Sequence, residues 1–292
     1  MSIGVECWSI GIRVQDYHES RSQAASPLVV IDMSVRKVAL LHLETVPGAV
    51  ERNRYLIVEA MKHAASVGAE WIVTPELAVC GLQFVDVIGT DWIYPQPDPW
   101  MQQVCKLVKG LKRTLFLSCP ERDGTRLYNS VFVIDPTGEI VGRHRKINVL
   151  SDSLSWSSPG DVAAPIDCGG IKVGVLVCAD VYTPNIARAM KFEGAQIFVS
   201  PASWGPGLHG PNGEWELRTH ETGLPLIVCN RTGAEKTLDF WRAPSLVVQN
   251  STRVLTHTSK RSAVLSFTWD FDRMVPRSSR YVVDYIRNSP TN

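Results

Sequence analysis

The sequence predicts an α/β protein, a mixed β-sheet covered by helices, and three observations predict it. Short apolar runs of strand type alternate with amphipathic helical segments. Two turn signals, "ERDGT" and "DPTG", interrupt that alternation and mark hairpins. Two distant stretches, "SVGAEWIVTPE" (66–76) and "FEGAQIFVSPA" (192–202), share a Gly-Ala helix end, one polar residue, three strand residues, then Ser or Thr before Pro. That echo suggests two helix–strand halves related by pseudo-symmetry, or simply two ordinary connections of the same kind.

Residues 1–34 show no clear period and include the polar, small stretch "HESRSQAAS", so they read as an N-terminal extension. The domain, 35–270, opens at "VRKVALLHLE", where Val38, Leu40 and Leu41 suit a buried strand that Pro47 and Gly48 end. Val50, Leu56, Ile57, Ala60, Met61 and Ala64 then recur at three- and four-residue spacings, one buried helical face closed by Gly68. "AEWIVTPE" is a short strand broken by Pro75. A helix near 98–112 leads to strands "TLFLSCP", "RLYNSVFVID" and "EIVGRHRKINV". "IKVGVLVCAD" supplies a strand. A helix follows, with Thr183 at its N-cap, Pro184 in its first turn, Ile186, Ala187 and Met190 inward, and Gly194 at its end. "LPLIVCN", "SLVVQN" and "AVLSFTW" complete the strands, and 271–292 forms a C-terminal tail.

Composition excludes several classes of function. Thirty basic against 29 acidic residues leave a formal charge of +1, which offers nothing to nucleic acid or an anionic membrane. Seven scattered cysteines, with no CxxC and no metal-ligand spacing, read as free thiols in a reducing compartment. The N-terminus lacks a basic segment followed by an apolar one, and no run approaches the roughly 18 apolar residues of a membrane span. A cytoplasmic protein is therefore expected.

Three local features carry chemistry. Cys178 stands where an apolar strand turns into a helix. Free amides and the helix dipole there favour a thiolate, making it the expected fast-reacting thiol; it could equally be a small buried hydrophobe. Glu76 follows an apolar strand and a proline, as a site acid or as a first-turn acid on the dipole. In "GRHRKINVL", alternation puts His144 and Lys146 on one face and Arg143 and Arg145 on the other, unless the segment is a solvated edge strand.

In order and context, "TPELAVCG", "GRHRKINVL" and "VGVLVCADVYTPNIARAMKFEGAQIFVSPASW" resemble the nitrilase, or carbon–nitrogen hydrolase, superfamily, from about Val35 to Trp269, and "IVCNRTG" (227–233) resembles its later Asn-Arg strand. The resemblance implies an α-β-β-α sandwich of two mixed sheets with helices outside. It also implies a Glu-Lys-Cys triad of Glu76, Lys146 and Cys178, with Lys146 70 residues after Glu76 and Cys178 32 after Lys146. The expected activity is thiol amidohydrolysis: a small carboxamide or carbamoyl compound acylates Cys178, ammonia or an amine leaves, and water activated by Glu76 frees the acid. Lys146 and the amide N–H of Ala179 would neutralise the tetrahedral oxygen, with no metal or organic cofactor. Attack on a nitrile uses the same residues, and a non-catalytic binding or scaffold protein is the alternative of another class. The lipoprotein acyltransferase branch carries membrane spans that this sequence lacks.

The pattern departs from the family in one place. Members usually carry another glutamate shortly before a Pro-Gly that matches Pro159-Gly160. Here "INVLSDSLSWSSPGD" contains none: Leu154 or Ser155 takes that position, and Asp152 and Asp161 are the acids nearby. The Gly- and Pro-rich stretch "SPASWGPGLHGPNGEWELR" reads as a loop, either a pocket wall to which Trp204 contributes or a rigid subunit contact; His209 matches no family motif. In the tail, Val282, Val283, Tyr285 and Ile286 need something to pack on. The resemblance implies a homodimer or larger homo-oligomer with this tail at or across the interface; folding back over a strand edge of its own subunit is the alternative.

Overall fold

The computed structural model describes residues 34–149, 156–207 and 210–288; the N-terminal extension up to Met33 lies outside them. Strand β1 (Val35–His42) runs into helix α1 (Val50–Ser66), which returns the chain to β2 (Trp71–Val73) parallel to β1. A short helix α2 (Val85–Ile88) and helix α3 (Pro99–Leu111) cross to β3 (Thr114–Asp123), again parallel. Hairpins then add β4 (Arg126–Ile134) and β5 (Ile140–Arg145) antiparallel.

The second half repeats this plan. After β6 (Ile166–Asp167), β7 (Lys172–Val175), α4 (Pro184–Phe192), β8 (Ile197–Pro201), α5 (Glu214–Thr222) and β9 (Leu226–Cys229) make two parallel crossovers. Strands β10 (Ser245–Gln249) and β11 (Thr252–His257) follow antiparallel. Each half has one further antiparallel strand beside its first: β12 (Ala263–Asp270) on β1 and β6 on β7. The echo between 66–76 and 192–202 is therefore the α1–β2 and α4–β8 junctions of two topologically equivalent halves.

Two mixed sheets result, β13-β12-β1-β2-β3-β4-β5, with β13 (Val275–Pro276) and β14 (Val282–Tyr285) both on β12, and β11-β10-β9-β8-β7-β6. Alternation along β1 shows how they stack. Val38 and Leu40 join the core shared with Val173, Val175 and Phe198 of the second sheet, whereas Ala39 and Leu41 join the core beneath α1 and α3. On the second sheet α4 packs against β7 and α5 against β10. The expected sandwich of two sheets with helices outside is the observed fold.

Several elements differ from the sequence reading. The stretch taken as a loop contains α5, whose buried face is Trp215, Arg218, Thr219 and Thr222 and so carries little apolar signal. Thr183 precedes α4, which starts at Pro184 as expected, but makes no side-chain cap, and the bend between β7 and α4 is a 3₁₀ turn, Cys178–Tyr182. The tail pairs with its own subunit, Ser266 opposite Val282 and Ala263 opposite Tyr285. The apolar residues of the tail thus have a partner within the chain, as the folding-back alternative expects, although Val282 and Tyr285 remain exposed.

Candidate active site

Glu76 leaves the first sheet just beyond β2, Lys146 just beyond β5, and Cys178 leaves the second sheet beyond β7. Glu76 N donates to the Ala202 carbonyl just beyond β8 at 3.3 Å, so the exits of the two sheets adjoin at one end of the sandwich, where α/β proteins bind ligands. All three side chains are buried, at 0%, 2% and 7% exposure, and they meet.

Lys146 Nζ donates to Glu76 Oε1 at 2.7 Å. Asn129 Nδ2, from β4, donates to the same oxygen at 2.9 Å, and the Ser203 N–H donates to Oε2 at 3.1 Å. The hydroxyl of Ser203 closes a ring by donating to the Glu76 carbonyl at 2.9 Å. Cys178 stands close enough to this cluster that the Glu76 carboxylate, the Lys146 ammonium and the Ser203 N–H all act on the charge of its sulfur. Asn129 and Ser203 escape a motif search because a single Asn in a buried strand and a Ser after "SPA" carry no spacing signal.

Burial works against the Lys146 charge, but Glu76 and then Cys178 outweigh it and hold the ammonium well above its ordinary pKa. Burial, followed by the Glu76 carboxylate, drives the Cys178 thiol well above its ordinary value, and Lys146 only partly offsets them. This corrects the sequence expectation of a resting thiolate. The α4 N-terminus lies at Pro184, where the sequence places it, and burial next to a carboxylate dominates at the sulfur.

The backbone at the site is strained. Cys178 has φ 47°, and so has Leu77, the residue after Glu76. Such left-handed conformations cost on the order of 1–3 kcal/mol each and persist where surrounding bonds over-determine them. At Leu77 the N–H is held by Ser118 Oγ at 2.9 Å. At Cys178 the restraint is Asp180, which is fully buried. Its carboxylate accepts from Val177 N at 2.9 Å, Ile147 N at 2.9 Å and Asn148 N at 2.8 Å, and pairs with His144 Nε2 at 2.9 Å. Burial opposes its charge, yet His144 and the amides hold its pKa below the ordinary carboxylate value. Asp180 therefore ties the segment after Lys146 to the turn bearing Cys178, which is why an acid stands two residues beyond the cysteine.

The basic cluster divides as alternation predicts. His144 and Lys146 point inward, while Arg143 and Arg145 both pair with Glu121 of β3. Gly160 lies on the strand end. Its N–H donates to the Lys146 carbonyl at 2.8 Å, and a Cβ there would stand 2.3 Å from the Arg145 carbonyl oxygen.

Trp204 is buried between Tyr182 and Trp215, each ring 5.0 Å away. Its backbone is gripped by Asn230, which accepts from Trp204 N at 3.1 Å and donates to its carbonyl at 2.9 Å. Ala179, the residue after Cys178, is in the first turn of the 3₁₀ segment, where N–H groups lack intrahelical partners. Of the acids near the missing glutamate, Asp161 is exposed. Asp152, Leu154, Ser155 and His209 lie outside the described residues.

The carbon–nitrogen hydrolase family model matches residues 37–275. This chain belongs to the carbon–nitrogen hydrolase family. As a carbon–nitrogen hydrolase it is 28% identical over 214 residues to a nitrilase of Pyrococcus abyssi, covering 72% of this chain and 80% of that protein. It is 28% identical over 261 residues to a citrullinase of Francisella tularensis, covering 80% and 89%. An amidase from a Nesterenkonia species has the same fold, with a TM-score of 0.71 at 23% identity, covering 82% of this chain and 92% of that one. Among the described residues of the hydrolase, no group of three or more His, Cys, Asp or Glu could hold a metal ion, and no helix is long and apolar enough to cross a membrane.

Proposed function

We propose that the protein is a thiol amidohydrolase that cleaves a small carboxamide or carbamoyl compound through an acyl-enzyme on Cys178. The observation that supports this most directly is the buried Glu76–Lys146 ion pair at 2.7 Å, with the buried Cys178 thiol under the influence of both charges.

A thiol of raised pKa attacks only if its proton leaves with the attack. As Sγ bonds to the carbonyl carbon, the proton passes to Glu76 and negative charge moves to the carbonyl oxygen, where Lys146 and the Ala179 N–H oppose it. Glu76 then returns the proton to the departing nitrogen, the C–N bond breaks, and ammonia or an amine leaves. Water enters, gives a proton to Glu76 and attacks the thioester; collapse releases the acid and restores the thiol. In this scheme Trp204 walls the substrate site. A nitrile would enter by the same attack.

The free state of the six described cysteines supports a reducing, cytoplasmic setting. The test is ammonia release from a panel of amides, carbamoyl compounds and nitriles, with intact mass spectrometry of the protein. An acyl adduct present on the native chain and lost in Cys178→Ala is expected. Absence of both adduct and ammonia across the panel would leave the non-catalytic scaffold reading.

A further inference from the structure

Asn129 is 2% exposed and sits on β4 beside the ion pair. Its Nδ2 donates to Glu76 Oε1 at 2.9 Å, and its backbone carbonyl accepts the Lys146 backbone N–H at 2.8 Å. The other half of its side chain is unsatisfied: among the described residues Oδ1 has no hydrogen-bond partner, although it is buried. Turning the amide over would not help, because it would set two acceptors, Oδ1 and Glu76 Oε1, against each other. Glu76 thus fixes which way the amide faces and leaves an acceptor without a protein partner in the site.

Buried polar atoms left unpaired are costly and mark places where a ligand completes the bonding. The nitrogen and oxygen of an amide are roughly 2.3 Å apart, so Oδ1 lies within about 5 Å of Glu76 Oε1. A single donor atom can bridge two acceptors at that separation. In the reaction proposed above, Glu76 must hand a proton to the leaving nitrogen, so that nitrogen comes to rest beside Glu76.

We infer that Asn129 Oδ1 accepts an N–H of the scissile carboxamide, making Asn129 a specificity-determining residue that selects substrates carrying hydrogen on the leaving nitrogen. The inference rests on the amidohydrolase reading and deepens it. A primary carboxamide or terminal ureido group supplies two such hydrogens, one for Oδ1. An ester has none on its leaving oxygen, and a nitrile nitrogen has none at the moment of attack. A site built around a buried acceptor discriminates strongly against analogues that leave it unpaired.

The experiment compares kcat/KM for the primary amide and the p-nitrophenyl ester of the same short acyl groups in the native enzyme, Asn129→Ala and Asn129→Asp. Loss of the acceptor in Asn129→Ala is expected to lower the amide-to-ester ratio by about 10-fold or more. In Asn129→Asp the carboxyl beside Glu76 holds a proton, donates it to Oε1 and keeps its other oxygen as the acceptor, so the ratio stays near native even if both rates fall. The ratio is internal to each preparation, so a partly unfolded variant does not alter it. An unchanged ratio in Asn129→Ala overturns the inference and leaves Asn129 acting on Glu76 alone. If the native enzyme acylates with neither compound of any pair, the amidohydrolase reading falls, and this inference with it.

Discussion

His144 Nε2 lies 2.9 Å from Asp180 Oδ2 with both side chains buried, so the strand that delivers Lys146 and the turn that delivers Cys178 are fastened to each other behind the reacting groups. A misplacement of about 1 Å between such groups can cost on the order of 100-fold in rate. His144→Leu is therefore expected to slow turnover by about that factor with KM little changed. His144→Gln, whose amide N–H reaches the position of Nε2, recovers most of it. Equal rates for His144→Leu and the native enzyme would refute this positioning role.

The raised pKa of Cys178 predicts a definite pattern of alkylation. Glu76 raises it and Lys146 lowers it. In Glu76→Gln the pH profile of Cys178 carbamidomethylation should move to lower pH, and in Lys146→Met to higher pH, although both variants lose hydrolysis by about 100-fold or more. Site-resolved mass spectrometry of iodoacetamide-treated protein reads the two profiles. Identical profiles would mean that the three groups are not coupled.

His42 is fully buried between the sheets, with Nδ1 2.9 Å from Ser245 Oγ and its ring 6.2 Å from that of His257. Burial, and then His257, lower its pKa from 6.5 to about 3. Above 6.5 neither state binds the proton. Between 6.5 and about 3 the unfolded chain binds it while the folded chain does not, so stability falls as pH falls. The contribution of this group to the slope is about 1.4 kcal/mol per pH unit between pH 6 and 4. Urea unfolding at several pH values should give a slope for His42→Asn that is smaller by about one proton. Parallel slopes would count against a neutral buried His42.

The tail covers the outer side of β12 through β13 and β14. A chain ending at Asp270 would present an unpaired edge strand in the first sheet, a template for aggregation. The truncated protein should melt several degrees lower and aggregate, and light scattering should show the full chain as a homodimer or larger. If the full chain runs as a monomer, the homo-oligomer that the family resemblance implies is rejected. If truncation changes neither melting nor assembly, β13 and β14 contribute nothing.

Much of this molecule is legible along the chain because the forces involved are local or periodic. Alternation along Val38–Leu41 assigns each residue to one of two cores, and Pro184 with inward Ile186, Ala187 and Met190 places α4. Glu76, Lys146 and Cys178 are marked together by the resemblance of their three motifs to the family; locally, Glu76 and Cys178 follow apolar strands and Lys146 follows a basic one. What the chain conceals depends on neighbours distant in sequence. Helix α5 hides because its buried face is mostly polar: Thr219 and Thr222 bond back to the Glu216 and Arg218 carbonyls, and Thr219 Oγ1 also accepts from Ser251 N, 32 residues on. The protonation of Cys178 is decided by burial and by a carboxylate 102 residues earlier in the chain. The open acceptor on Asn129 exists only because Glu76, 53 residues away, has claimed its donor. Sequence determines which side chains each strand delivers to the site. Desolvation and hydrogen-bond completion act only after the two sheets have closed, so the charge each group carries and the bond it leaves open are set by the tertiary structure.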